Sequence, residues 1–111
     1  MRITTDTQGD VTVLTVSGEL NHDSAGKFGE ACRAELGQGR RDFAVDLSAV
    51  TTIDSAGLEA LTALQRECEE QLGMVRLCGA RDNVRKILEM TRLDRVLPVH
   101  EGLEETLSSF I

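Results

Sequence analysis

Aromatic residues are nearly absent: three Phe, no Trp and no Tyr, 3% of 111 residues. Without them a base-stacking surface for single-stranded nucleic acid has little to work with, and the core must be aliphatic. Positive charge is also short. Twelve Lys and Arg stand against nineteen Asp and Glu, a formal net charge of −7. A protein that neutralises phosphates needs the opposite balance, so nucleic acid and anionic membrane surfaces are not expected partners. A partner with a basic face is, because complementary potentials steer encounter. No apolar run approaches the ~18 residues of a membrane span. The opening Met-Arg-Ile-Thr-Thr-Asp-Thr-Gln-Gly-Asp holds no apolar stretch of signal-peptide length. Cysteine is sparse and odd in number. Cys32, Cys68 and Cys78 form no close pair, which argues against a zinc site, and each falls in an apolar pattern. Reduced core thiols in a cytoplasmic protein are the expectation.

What remains is the material of one globular domain over residues 1–111, with 41% hydrophobic and 28% charged residues. Val11 to Val16 runs apolar and is followed by Gly18. Arg2 to Asp6 precedes it across a Gln8-Gly9-Asp10 turn, which predicts an opening β-hairpin. From Asp23 to Leu36 the period becomes helical, with Ala25, Phe28, Ala31, Cys32 and Leu36 on one face. Phe43 to Leu47 is a short, nearly continuous apolar strand of the kind buried at the centre of a sheet. Ser48 to Ile53 is expected to be a loop. Leu58, Leu61, Leu64, Cys68 and Leu72 then recur at spacings of three and four, the clearest helix in the chain, stopped by Gly73. Met74 to Cys78 is a further strand. Asp82 or Asn83 is expected to cap a third helix with Val84, Ile87 and Leu88 inward. Val96 to Val99 is expected as a last strand, placed at an edge by Pro98, the only proline. Leu103, Leu107 and Phe110 mark a terminal helix. A hairpin followed by alternating helices and strands predicts an α/β fold: a mixed sheet of four or five strands with helices packed mainly on one side.

The informative stretch is Asp46-Leu47-Ser48-Ala49-Val50-Thr51-Thr52-Ile53-Asp54-Ser55-Ala56-Gly57-Leu58. A buried strand delivers the chain to a helix start at Asp54-Ser55, where the first amides lack intrahelical partners. Asp54 is a natural cap there. No reciprocal capping box is possible, because Gly57 and Leu58 stand where Glu or Gln would be needed. Gly57 would let another molecule approach the first turn closely. Ser55 would hold its hydroxyl at the positive end of the helix dipole, where a phosphate gains from the dipole and from free amides, though Asp54 would repel it.

This segment resembles the signature of STAS domains of the anti-sigma factor antagonist type: a strand ending Asp-Leu-Ser, a short loop, then Asp-Ser-Ser-Gly-Leu. Val16-Ser17-Gly18-Glu19-Leu20, Met74-Val75-Arg76-Leu77-Cys78-Gly79, and Lys86-Ile87-Leu88 with Thr91-Arg92-Leu93-Asp94 are similar to that family's second strand, fourth strand and third helix. The resemblance implies that Ser55 is the phosphoacceptor of a serine kinase. It also implies a partner-binding surface comprising Asn21, Asp54, Ser55, Ala56 and Gly57. The implied partners are an anti-sigma factor or serine kinase, and a phosphatase. Two positions depart from the family: Asn21 replaces a common Asp, and Ala56 replaces the second serine of the motif.

Other candidates are weaker. His22 and His100 lack catalytic partners and are expected to be exposed. Asp46 ends a strand as the phosphoacceptor of a receiver domain does, but the acidic residues and lysine a receiver needs elsewhere are missing, so a loop-stabilising carboxylate is expected. Arg81, Arg85, Lys86 and Arg92 give the third helix a basic side, a solvated face or a surface for an acidic partner. No phosphate loop, metal cluster or paired catalytic carboxylate is found. The expectation is a binding protein, not an enzyme, without cofactor or metal: a cytoplasmic regulator of transcription switched off by phosphorylation at Ser55. The alternative is a STAS-type structural subunit of a transport or signalling assembly that is never phosphorylated.

Overall fold

A computed structural model describes residues 1–111. Five strands, β1 (Arg2–Gln8), β2 (Val11–Leu20), β3 (Phe43–Ile53), β4 (Val75–Cys78) and β5 (Val99–His100), form one sheet in sequential order. β1 pairs antiparallel with β2 through the predicted hairpin, and every later pairing is parallel. Parallel neighbours need crossovers, supplied by the helices α1 (Ala25–Leu36), α2 (Ser55–Glu70) and α3 (Asp82–Met90). Because strand order advances in one direction and crossovers are right-handed, all three helices fall on the same face. That face is the main core. Phe28 and Cys32 of α1, Leu61, Leu64 and Cys68 of α2, and Val84 and Leu88 of α3 pack on Leu14, Val16, Phe43, Val45, Leu47 and Leu77. The terminal helix α4 (Leu103–Ser108) covers the other face, where Leu103, Leu107 and Phe110 meet Val11, Val13 and Ala44. Both faces being covered, the run Val11 to Leu14 is buried without interruption.

Four local expectations need correction. Ser48 to Ile53 is not a loop but the second half of β3. β3 carries one extra residue where Thr15↔Asp46 gives way to Ser17↔Ala49, and another between Gly18↔Val50 and Glu19↔Thr52. These bulges set the buried residues Leu47, Val50 and Ile53 three apart, a spacing that hides a strand from any search for alternation. The last strand is shorter and later than Val96–Val99, because Leu93–Arg95 form a 3-10 turn first. Neither Asp82 nor Asn83 caps α3. Arg81 occupies the cap position without a side-chain hydrogen bond, and Asp82 enters the helix at φ +50°.

Leu72 lies beyond α2, not on its buried face. It takes the left-handed position (φ +63°) and is 87% exposed. Its amide donates to the Glu69 carbonyl at 3.0 Å and the Gly73 amide to Cys68 at 2.7 Å, the two bonds of a Schellman turn. Gly73 is therefore not needed for its φ. A β-carbon there would sit 1.9 Å from the Arg41 carbonyl oxygen, so only glycine lets the turn pack on that segment.

No helix is long and apolar enough to cross a membrane. All three cysteines are buried and unpaired. Burial pushes the thiols of Cys32 and Cys68 up to about 12, nearby acidic groups adding to the effect, and also raises Cys78. None is a reactive thiolate at neutral pH.

Candidate functional site

The pairing Leu20↔Ile53 brings two distant segments together, because the residues following each strand must then be neighbours. The Asp54 amide donates to the Leu20 carbonyl at 3.3 Å. Beyond Leu20 the chain turns tightly. The Asn21 side-chain oxygen accepts from the Asp23 amide at 3.0 Å, and the Ser24 hydroxyl accepts from the Asn21 amide at 2.9 Å while donating to the Glu19 carbonyl at 2.7 Å. Asn21 thus has a structural task in this turn.

Asp54 joins the two segments. One carboxylate oxygen accepts from the Gly57 amide at 3.0 Å, the N-cap bond of α2. The other accepts from the His22 amide at 3.1 Å. The Gly57 hydrogen bond chiefly holds the carboxyl below its ordinary value, opposed by some desolvation and assisted by the His22 amide and ring. A carboxyl depressed in the folded state contributes stability above its unfolded value and loses it as pH falls through the folded one. Asp54→Asn is therefore expected to melt below wild type at neutral pH, with the gap narrowing below about pH 4. Thermal unfolding of both proteins at a series of pH values checks this. A gap independent of pH would show that the carboxylate charge contributes nothing.

Since Asp54 supplies the cap, the hydroxyl of Ser55 is not committed to it. Ser55 is the first helical residue and is exposed, with Asn21, Asp54 and Ala56 half-buried beside it. Gly57 is the exception among the expected surface residues, and its role needs correction. It is buried, and a β-carbon there would meet the Leu20 carbonyl oxygen at 2.4 Å and Ile53 Cγ1 at 2.7 Å. The close approach that this glycine allows is to the protein's own β2, not to another molecule.

His22 escaped the sequence reading as a site residue. It is exposed, as expected, but its Nδ1 lies 3.6 Å from Asp54 and its Nε2 lies 3.4 Å from Asp23. The only signal in the sequence was its place directly after Asn21. His100, by contrast, is not exposed as expected. Its side chain is 22% accessible, and Nδ1 sits 3.3 Å from Glu105.

Asp46 accepts from the Ser48 amide at 2.9 Å, and Arg81 donates to the Ser48 carbonyl at 3.2 Å, so both stabilise the first bulge of β3. Beside that bulge a polar cleft of about 540 Å³ is lined by Gly79, Arg81, Arg85 and Glu101 among others. Its charge is largely spent internally, for Arg85 pairs with Glu101 at 2.8 Å and with Glu89 at 3.6 Å. The arrangement around Ser55 holds a free hydroxyl and an ionised carboxylate on an exposed helix start.

The fold has counterparts among known proteins. The anti-sigma-B factor antagonist of Staphylococcus aureus is 27% identical over 104 residues, covering 94% of this chain and 96% of that protein. The crystal structure of an anti-sigma factor antagonist from Mycobacterium paratuberculosis superposes with a TM-score of 0.88 at 27% identity, over 97% of this chain and 92% of that one. The phosphorylated form of the Bacillus cell fate determinant SpoIIAA shares the fold, with a TM-score of 0.77 at 18% identity over 99% and 100% of the two chains. The family model described as "Mlab, STAS domain" matches residues 3–99, and the chain belongs to the STAS domain family.

Proposed function

We propose that this STAS protein acts as an anti-sigma factor antagonist: it binds an anti-sigma factor or related serine kinase through the surface around Ser55 and releases that protein's client. The kinase phosphorylates Ser55, the complex is disfavoured, and a phosphatase resets the switch. The observation that carries this reading is the division of labour at the start of α2. Asp54 caps the helix, which leaves the exposed Ser55 hydroxyl available for modification. Asn21, Asp54 and Ala56 share that surface and are assigned to the partner contact; Gly57 supports it from beneath. A phosphate adds about −1.5 to −2 charges to a chain whose formal charge is already −7, and so works against a basic partner face. The protein acts by binding, not by turnover, and the buried unpaired thiols suit a reducing cytoplasm.

Incubation with ATP and serine kinases of the anti-sigma factor type from the same genome, read by intact mass, tests the proposal. Wild type is expected to gain one phosphate and Ser55→Ala none. An unmodified wild type, or a Ser55→Ala variant that is still phosphorylated, would displace Ser55 as the switch and favour a STAS structural subunit of a larger assembly.

A further inference from the structure

The Asp54 cap has one positively chargeable neighbour, and it is not part of the family signature. His22 holds its backbone amide on one Asp54 oxygen and its ring 3.6 Å from that same oxygen, with Asp23 3.4 Å from the other ring nitrogen. The first charged residues along the neighbouring elements are Glu19 at the end of β2, Lys27 on α1 and Glu59 on α2, and none pairs with His22. Lys27 is turned to the Met1 carbonyl at 3.4 Å. Ser55 follows Asp54 directly, so a phosphate on Ser55 would join two carboxylates on a surface where the His22 ring is the basic group set against Asp54.

We propose that His22 is the built-in counter-charge of a phosphate on Ser55. The side chain is 77% exposed and free to turn from Asp23 towards the phosphate while its amide stays on Asp54. The second ionisation of a phosphate lies near 6, so a neighbouring positive charge registers in its titration. The imidazolium favours the phosphate dianion, and the dianion favours the imidazolium.

This inference rests on Ser55 being phosphorylated, but its test does not need the kinase. Phosphoserine is incorporated at position 55 during translation, and the phosphorus resonance is titrated with pH in three backgrounds: wild type, His22→Gln and His22→Lys. His22→Gln is expected to raise the second phosphate pKa by about 0.2–0.7 of a pH unit, the scale of an exposed ion pair. His22→Lys is expected to keep the low value, because lysine holds its charge throughout. The His22 ring protons in wild type are expected to titrate higher when position 55 is phosphoserine than when it is serine. A phosphate titration unchanged by His22→Gln, a His22→Lys value as high as that of His22→Gln, or an unmoved His22 titration would each overturn the proposal. A kinase that leaves Ser55 unmodified would instead overturn the switch and leave the chemistry of this contact intact.

Discussion

Leu61→Ala is expected to lower the free energy of unfolding by about 2–5 kcal/mol, the range for leucine truncations in close-packed cores. Leu61 is fully buried, and Leu64 one turn on is 1% exposed. Both sit under the sheet between α1 and α3, in a core whose only aromatic side chains are Phe28 and Phe43. A close-packed core relaxes only partly into vacated space, so a cavity remains and the cost is more than the lost transfer energy. Domains of this size have about 5–15 kcal/mol in total, so the variant should unfold at clearly lower urea. Chemical denaturation followed by circular dichroism measures it. A loss below about 0.5 kcal/mol would mean that α2 turns another face to the sheet.

Ser55→Asp is expected to weaken partner binding by about 1–3 kcal/mol, or roughly 5- to 150-fold in affinity. The variant places a fixed negative charge on the exposed helix start beside Asp54, where a docked partner would have to desolvate it. The loss should be smaller than that caused by phosphate, which carries more charge and three acceptor oxygens. Stability should not suffer. The first turn of α2 has no acidic residue, so a carboxylate there gains from the helix dipole, and Asp54 continues to cap. An affinity loss accompanied by unfolding would therefore not support the switch, and circular dichroism of the same sample separates the two.

The sheet was legible in the sequence wherever its strands keep a simple pattern. The Val11–Val16 and Phe43–Leu47 runs and the Leu58–Cys68 spacing each led to an observed element. It was illegible where the backbone departs from regular period. The second half of β3 looked like a loop because two bulges set Leu47, Val50 and Ile53 three residues apart. Leu72 continued the period of α2 although the helix had ended in a left-handed turn.

At the site, the Ser55 position and the Asp54 cap followed from local chemistry. The two glycines were harder. Gly57 and Gly73 are demanded by Leu20 and Arg41, residues far away in the chain, and no local pattern carries that information. The contact of His22 with Asp54 depends likewise on the β2–β3 register, which places position 22 beside position 54. What a single sequence leaves hidden here is the consequence of parallel pairing between segments thirty residues apart.

The most direct test is calorimetric titration of the partner kinase with wild type, Ser55→Ala and Ser55→Asp. The account predicts that Ser55→Ala binds as wild type does, since only a hydroxyl is removed from an exposed turn, and that Ser55→Asp binds more weakly by about 1–3 kcal/mol. Equal affinity of Ser55→Asp and wild type would contradict it, because a charge at the centre of the proposed contact would then have no effect on binding.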